Sequence, residues 1–253
     1  MSPPTPIRSS WRLISPLEAS GAVHMAVDRW LLEQHRQGRE SSVLRFYTWS
    51  PPAISLGYHQ RRWPEHWRQL TWRERPVDIV RRPTGGRAVL HQGELTYAII
   101  TSGLGGSRTE VYQSLCQFLM EGWRSLGVNL FYGAAGRGYI HNPNCFDSAT
   151  AADLVTANGV KLIGSAQFRK DNAILQHGSI RLTPDLCLYQ KAFGTVLQPV
   201  NLPNHLSQLP QLELYDAVVN ALTKAAQHCF CPKFNLQPLS EAEIEAAMNF
   251  AEQ

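Results

Sequence analysis

Two side chains offer the most direct chemistry in this sequence. Cys145 stands in Asn144-Cys145-Phe146-Asp147-Ser148, and Lys161 in Val160-Lys161-Leu162-Ile163-Gly164-Ser165-Ala166-Gln167. A thiol of ordinary pKa, about 8.5, is mostly protonated at neutral pH, and a nearby cation raises its reactive thiolate fraction. Lys161 is one of only five lysines, with Lys170, Lys191, Lys224 and Lys233. It could supply that cation, stabilise charge on a reacting carbonyl, or act as a base if its pKa were depressed. The plain alternatives are a small buried hydrophobe for Cys145 and an outward-facing, solvated strand lysine for Lys161.

A third segment runs Arg81-Arg82-Pro83-Thr84-Gly85-Gly86-Arg87-Ala88-Val89-Leu90-His91. Adjacent glycines let backbone approach a ligand closely, and flanking arginines can hold anionic groups. A tight turn with solvated arginines is the bland reading. No Gly-Lys-Ser/Thr follows and the GxGxxG spacing is missing, so neither nucleotide-binding signature is present. His177, in Gln176-His177-Gly178-Ser179, is the fourth candidate, and a dyad of Cys145 with His177 or His91 is possible from composition alone. The fifth, His228-Cys229-Phe230-Cys231, suggests metal ligands, but no second ligand pair at zinc-like spacing accompanies it, and no metal is expected.

The elements that must position these residues mix strands and helices. Apolar spacing predicts a helix over 16–37, stopped by Gly38, and others over 109–126, 185–193, 211–227 and 240–251, with a short one over 63–70. Strands are predicted over 43–49, 54–58, 77–82, 95–101 and 128–132. Asn158-Gly159 between the strand-like runs 153–156 and 160–165 predicts a hairpin. Residues 173–175 and 179–182 extend the sheet, and Gly133, Gly136 and Gly138 open a flexible stretch before Pro143. Without a regular βαβ rhythm the class is α+β. Residues 1–10, with Pro3, Pro4 and Pro6, read as a loose arm, and 11–253 as a single domain with a helical C-terminal region.

Composition narrows the function classes. Of 253 residues 43% are hydrophobic and 17% charged, which excludes a largely disordered chain. No apolar run approaches the roughly 18 residues of a membrane span. The start lacks the pattern of a signal peptide, so the five cysteines point to reduced thiols and a cytoplasmic protein. The net charge of +4 comes without a basic run, which suits an acidic partner better than nucleic acid.

Several segments occur together in one order: Gly21-Ala22-Val23-His24-Met25-Ala26-Val27-Asp28, Arg45-Phe46-Tyr47-Thr48-Trp49, Ser55-Leu56-Gly57-Tyr58-His59-Gln60, the Arg81–His91 segment, Cys145-Phe146-Asp147, Lys161 through Gln167, and Gln176–Ser179. Over about residues 10–235 the chain resembles the catalytic domain of biotin/lipoate protein ligases. In particular it is similar to the cysteine-dependent octanoyltransferases of that superfamily. Arg87 stands where ATP-dependent lipoate ligases usually have a third glycine, and Gln176 where they have a histidine. Those ligases also typically lack a cysteine at the place of Cys145.

The resemblance implies a mixed, largely antiparallel sheet flanked by helices. It implies transfer of octanoyl from octanoyl-acyl carrier protein to a lysine of a lipoyl domain, such as glycine cleavage H protein or a 2-oxoacid dehydrogenase E2, with no cofactor, metal, nucleic acid or membrane involved. Cys145 would be the nucleophile that carries the acyl thioester. Lys161 would favour the thiolate and stabilise the carbonyl charge. Arg82, Gly85, Gly86, Arg87, His91, Gly164, Ser165 and His177 would bind substrate, and Arg82, Arg87 and Arg169 would suit docking acidic partners. An ATP-dependent ligase, an amidotransferase between lipoyl domains and a non-catalytic binding protein are the competing functions.

Overall fold

Apolar side chains alternate across the strands and recur every three to four residues along the helices, so that one sheet buries a core on each face. The computed structural model describes residues 10–133, 152–230 and 233–252. Its elements are β1 (Trp11–Ala19), α1 (Gly21–Arg36), β2 (Ser42–Trp49), β3 (Ala53–Leu56), a 3₁₀ turn (Glu65–Gln69), β4 (Thr71–Trp72), β5 (Arg75–Pro76), β6 (Asp78–Arg81), β7 (Val89–His91), β8 (Glu94–Ser102), α2 (Arg108–Ser125), β9 (Leu130–Tyr132), β10 (Asp153–Thr156), β11 (Lys161–Lys170), β12 (Ala173–Arg181), α3 (Leu186–Phe193), α4 (Asn204–Ser207), α5 (Gln211–Cys229), β13 (Phe234–Leu236) and α6 (Glu241–Ala251).

The main sheet has the order β13-β1-β2-β8-β12-β11-β10-β9. The β13–β1 and β1–β2 pairs are parallel and the remaining pairs antiparallel. The fold is therefore the expected α+β arrangement, a mixed and largely antiparallel sheet flanked by helices. Along β8, Leu95, Tyr97 and Ile99 join the core under α2 and α5, while Ala98 and Ile100 join the core under α1. On β2, Leu44 and Phe46 take the first face and Val43, Tyr47 and Trp49 the second. A small sheet, β6-β3-β7, closes over a third core that contains Trp67, Leu188 and Tyr189.

The helix expected from residue 16 begins instead at Gly21, capped by Ser20. Residues 11–19 are strand β1, with Trp11 and Ile14 buried and a register shift between Ile14 and Leu17. Pro16 sits at that irregularity, where a strand tolerates a residue without an amide donor. The two runs expected around 173–182 are one continuous strand, β12, because Gln176, His177 and Gly178 keep the ladder to β8 and β11. The elements β4, β5, β7, β13 and α4 span two to four residues, too few for a period to register. α2 starts at a capping box of Ser107 and Glu110, a local reason for its placement.

Phe118 of α2 is fully buried, with its ring centroid 5.5 Å from Tyr97 and 5.5 Å from Phe230. It joins the sheet, α2 and the end of α5. Phe118→Ala is expected to destabilise the fold by about 3–5 kcal/mol in urea denaturation, without changing which face of the sheet is buried.

Candidate active site

The hairpin β10–β11 forms where Asn158-Gly159 predicts it. Gly159 has φ 79°, its amide donates to the Thr156 carbonyl at 2.8 Å, and the Thr156 amide donates to Val160 at 2.9 Å. The pairing is not regular: Leu154 faces Ile163, but Val155 faces Lys161. One extra residue on β11 makes a bulge, which re-aims the side chains beyond it. Leu162 and Ile163 both enter the core under α2 and α5. Lys161 is thereby brought to the face of Asp153, whose register partner is Gly164.

Lys161 is not an outward-facing, solvated lysine. It is 4% exposed, and its Nζ lies 2.8 Å from Oδ1 of Asp153, itself 4% exposed. Gly164 makes the room: a Cβ there would stand 2.9 Å from Lys161 Cε and 3.1 Å from Nζ. Asp153 and Gly164 line a cavity that encloses about 630 Å³ including its mouth, together with Trp49, Gly85, Gly86, Val89, His91, Ser165, His177 and Gly178. Its walls are glycine backbone, aromatic rings and aliphatic side chains with a few polar atoms, the lining expected for an apolar ligand with a polar end.

The Gly85–Gly86 wall is held by Arg82. This guanidinium is buried and donates to the carbonyls of Ser55 (2.8 Å), Gly85 (2.8 Å) and Arg87 (2.7 Å), and to Ser55 Oγ (3.1 Å). The expectation that Arg82 docks an acidic partner is thus corrected: it is an internal strut, and its five donors in a rigid fork suit that task. Gly86 has φ 95°, and a Cβ on Gly57 would lie 1.8 Å from the Gly86 carbonyl oxygen, so the two backbones touch. Arg87 and Arg169 are partly exposed.

His91 stacks on Trp49 with centroids 3.8 Å apart. Its Nε2 lies 2.7 Å from Ser55 Oγ and its Nδ1 3.0 Å from Glu94 Oε1. Because Arg82 donates to the Ser55 hydroxyl, that hydroxyl can give its proton to Nε2, leaving Nδ1 to donate to Glu94. Burial pushes His91 below its usual pKa even though Glu94 opposes this. His177 is likewise engaged on both sides, with Nδ1 2.9 Å from Asp28 Oδ2 and Nε2 2.7 Å from Thr84 Oγ1. Each ring has both nitrogens bonded within the fold, which speaks against a cysteine–histidine dyad.

Asp28 organises the floor behind this wall. It is fully buried, receives Arg45 at 3.1 Å and the Tyr47 hydroxyl at 3.0 Å, and meets His177 as above. Burial alone would push its carboxyl up, but Arg45, His177 and Tyr47 outweigh it and hold the pKa below the usual value. His24 Nε2 faces the Thr48 carbonyl at 2.8 Å and so must donate, and its Nδ1 accepts from Arg45 at 2.9 Å. Burial first, then Arg45, hold His24 at a pKa of about 3. No role was read for Asp28, Arg45, Ser55, Glu94 or Asp153 in the sequence. The available signal was Asp28, a lone carboxylate on the buried stripe of α1 between His24 and Leu31.

Cys145 lies outside the described residues, as do residues 1–9, for which a loose arm is expected, residues 134–144 of the glycine-bearing sequence, and Cys231. The sequence signature of the lipoyl protein ligase A/B catalytic domain matches residues 20–225. The chain belongs to this family. Among its relatives, an octanoyltransferase LipM of Kyrpidia tusciae is 41% identical over 187 residues, covering 70% of this chain and 67% of that one. An octanoyltransferase LipM of Bacillus subtilis is 36% identical over 203 residues, covering 76% and 71%. The chain spans about two thirds of the length of the curated relatives it matches first, 67% and 66% of the first two. A solved structure of the putative lipoate protein ligase Ta0514 of T. acidophilum with bound lipoic acid superposes with a TM-score of 0.73 at 20% identity, covering 95% and 94%. Lipoate-protein ligase A bound with ATP superposes with a TM-score of 0.70 at 20% identity, covering 95% and 93%. These likenesses establish the fold.

The pKa of His24 gives the fold a pH dependence with a definite sign. Between about pH 6.5 (unfolded chain) and about pH 3 (folded), the unfolded state binds a proton that the folded state refuses. Stability therefore falls as pH drops through that window, by up to about 1.4 kcal/mol per pH unit for this one group. His91 adds in the same direction. Urea denaturation between pH 7 and pH 4 is expected to show a shallower dependence for His24→Gln than for the wild type.

Proposed function

We propose that this chain transfers an octanoyl group from octanoyl-acyl carrier protein to a lysine of a lipoyl domain through a thioester on Cys145. The observation that carries the reading is the buried Lys161–Asp153 pair at a glycine-lined apolar cavity, in a chain whose relatives are octanoyltransferases. A carboxylate at 2.8 Å fixes the ammonium in one place, which is what electrostatic stabilisation of a developing charge requires.

In the first step the Cys145 thiolate attacks the octanoyl carbonyl carbon. The new C–S bond replaces the carrier's C–S bond, and the carrier thiolate leaves and takes a proton. One thioester replaces another, so this step is close to energetically neutral and needs no separate activation. In the second step the lysine amine of the lipoyl domain attacks the enzyme thioester. A C–N bond forms, the Cys145 thiolate departs, and the amine loses a proton. Lys161 favours the thiolate and stabilises the carbonyl oxygen, while Asp153 orients Lys161.

The acyl chain lies against the wall of Gly85, Gly86 and Val89, where each buried methylene contributes about 0.8 kcal/mol. His91, Ser165, Gly164 and His177 shape the pocket around it; Tyr97 donates to Ser165 Oγ at 2.8 Å and fixes that hydroxyl. With Arg82 internal, acidic partners meet exposed arginines of the segment between β3 and β6, namely Arg61, Arg62, Arg68, Arg73 and Arg75. That segment adjoins the cavity wall, since the Tyr58 amide donates to Thr84 at 2.8 Å. No helix among the described residues is long and apolar enough to cross a membrane.

The test is an intact-mass assay without ATP, using octanoyl-acyl carrier protein and an unmodified lipoyl domain. Octanoyl is expected on the lipoyl domain with the wild type and not with Cys145→Ser. Lys161→Ala is expected to lower kcat by about 10²–10³-fold, and Asp153→Asn by roughly 10–100-fold, because it leaves the ammonium in place but loosely held. Transfer that requires ATP, or that survives Cys145→Ser, would overturn the proposal.

A further inference from the structure

The segment His228-Cys229-Phe230-Cys231 has no part in the transfer chemistry, and in the sequence it lacks a second ligand carrier. The fold supplies one. Glu121, on α2 and 107 residues upstream, lies with Oε2 3.0 Å from His228 Nδ1 at the end of α5. The Cys229 sulfur stands close to the same carboxylate. The carboxylate oxygen, the imidazole nitrogen and the sulfur all lie within 4.8 Å of one another. We propose that Glu121, His228 and Cys229 form a binding site for one borderline-soft divalent cation of the zinc class, which pins the C-terminal end of α5 to α2.

The geometry requires little movement. Tetrahedral zinc with bonds of about 2.0–2.3 Å separates its donors by roughly 3.3–3.8 Å, so side-chain rotation suffices. The backbone is already fixed by the helix crossing beside Glu121: a Cβ on Gly122 would stand 2.7 Å from Leu222 Cδ2 and 3.1 Å from Leu222 Cα. Oxygen, nitrogen and sulfur together favour a borderline-soft ion over calcium or magnesium, which take oxygen ligands. The site has an entry path, because the His228 side chain is 82% exposed while that of Glu121 is 19% exposed. The fourth position is left to water. It lies in a shallow depression lined by Gln113, Gln117 and Tyr132, none of which lines the candidate active site.

Protonation also balances. On binding, the Cys229 proton goes to solvent, the sulfur–metal bond forms, and His228 carries its proton on Nε2 while Nδ1 binds. No electron is transferred. Affinity must therefore rise with pH.

The test titrates Co²⁺ alone into the reduced full-length chain. One equivalent is expected to produce a near-ultraviolet thiolate-to-cobalt charge-transfer band and the intense visible bands of a four-coordinate ion, both bleached by Zn²⁺. Cys229→Ser is expected to remove the charge-transfer band. Glu121→Gln and His228→Ala are expected to weaken binding by at least about tenfold. Octanoyl transfer by all three variants should match the wild type, so loss of fold is separated from loss of the site. His228→Ala is the decisive variant, because its exposed side chain can be removed without disturbing the core. The proposal is overturned if one equivalent gives no charge-transfer band, or if Co²⁺ affinity is unchanged in His228→Ala. A band that survives Cys229→Ser and is lost in Cys231→Ser or Cys145→Ser overturns it equally.

Discussion

A single buried carboxylate ties together the half of the molecule that carries the candidate site. Asp28 accepts from Arg45 and Tyr47 on β2 and meets His177 on β12, and through His177 it reaches Thr84 beside the Gly85–Gly86 loop. Two helix turns' worth of apolar packing around α1 would tolerate many side chains at this position, but only an acceptor can satisfy these three groups at once. A buried charge is costly unless paired and hydrogen-bonded, and removal of one partner strands the others. The relative placement of helix α1, the central strands and the cavity wall is therefore set by polar geometry inside an otherwise apolar core. The second chain of bonds, Glu94–His91–Ser55–Arg82, does the same for the small sheet, with Arg82 bridging it to the loop carbonyls.

Against this fixed wall the hairpin β10–β11 presents its cation. The one-residue bulge decides which face Lys161 takes, and Gly164 decides that there is room for it. Asp153, a residue of the cavity wall, completes the arrangement at 2.8 Å and holds the ammonium away from solvent. An apolar cavity with a fixed positive charge at one side suits an acyl group whose carbonyl gains negative charge during transfer. The family assignment and this geometry bear on different questions: the first concerns the kind of reaction, and the second concerns which atoms of this chain can support it.

Much of the scaffold was legible from local patterns. Asn158-Gly159 marked its hairpin because glycine readily takes the positive φ that the turn requires at Gly159, and α2 was placed correctly by its apolar stripe. The start of α1 was misplaced because Leu17 fits a helical spacing as well as a strand; the pairing of Trp11–Ala19 with distant β13 and β2 is what settles it. The burial of Lys161 was not legible, since a bulge is a one-residue register shift decided by two strands together. Arg82 was singled out for the right segment but the wrong partner: the carbonyls it binds belong to its own loop and to Ser55. Glu121 was invisible as a companion of His228, because a helix crossing and not a sequence spacing unites them.

The central claim is that the acyl group passes through Cys145. Its most direct measurement is a quenched reaction of the protein with octanoyl-acyl carrier protein in the absence of a lipoyl domain, followed by peptide mass spectrometry. The account predicts one octanoyl group per chain on the peptide containing Cys145, lost on later addition of an unmodified lipoyl domain as its lysine gains the same mass. Transfer to the lipoyl domain with no acyl group ever found on Cys145 would contradict it.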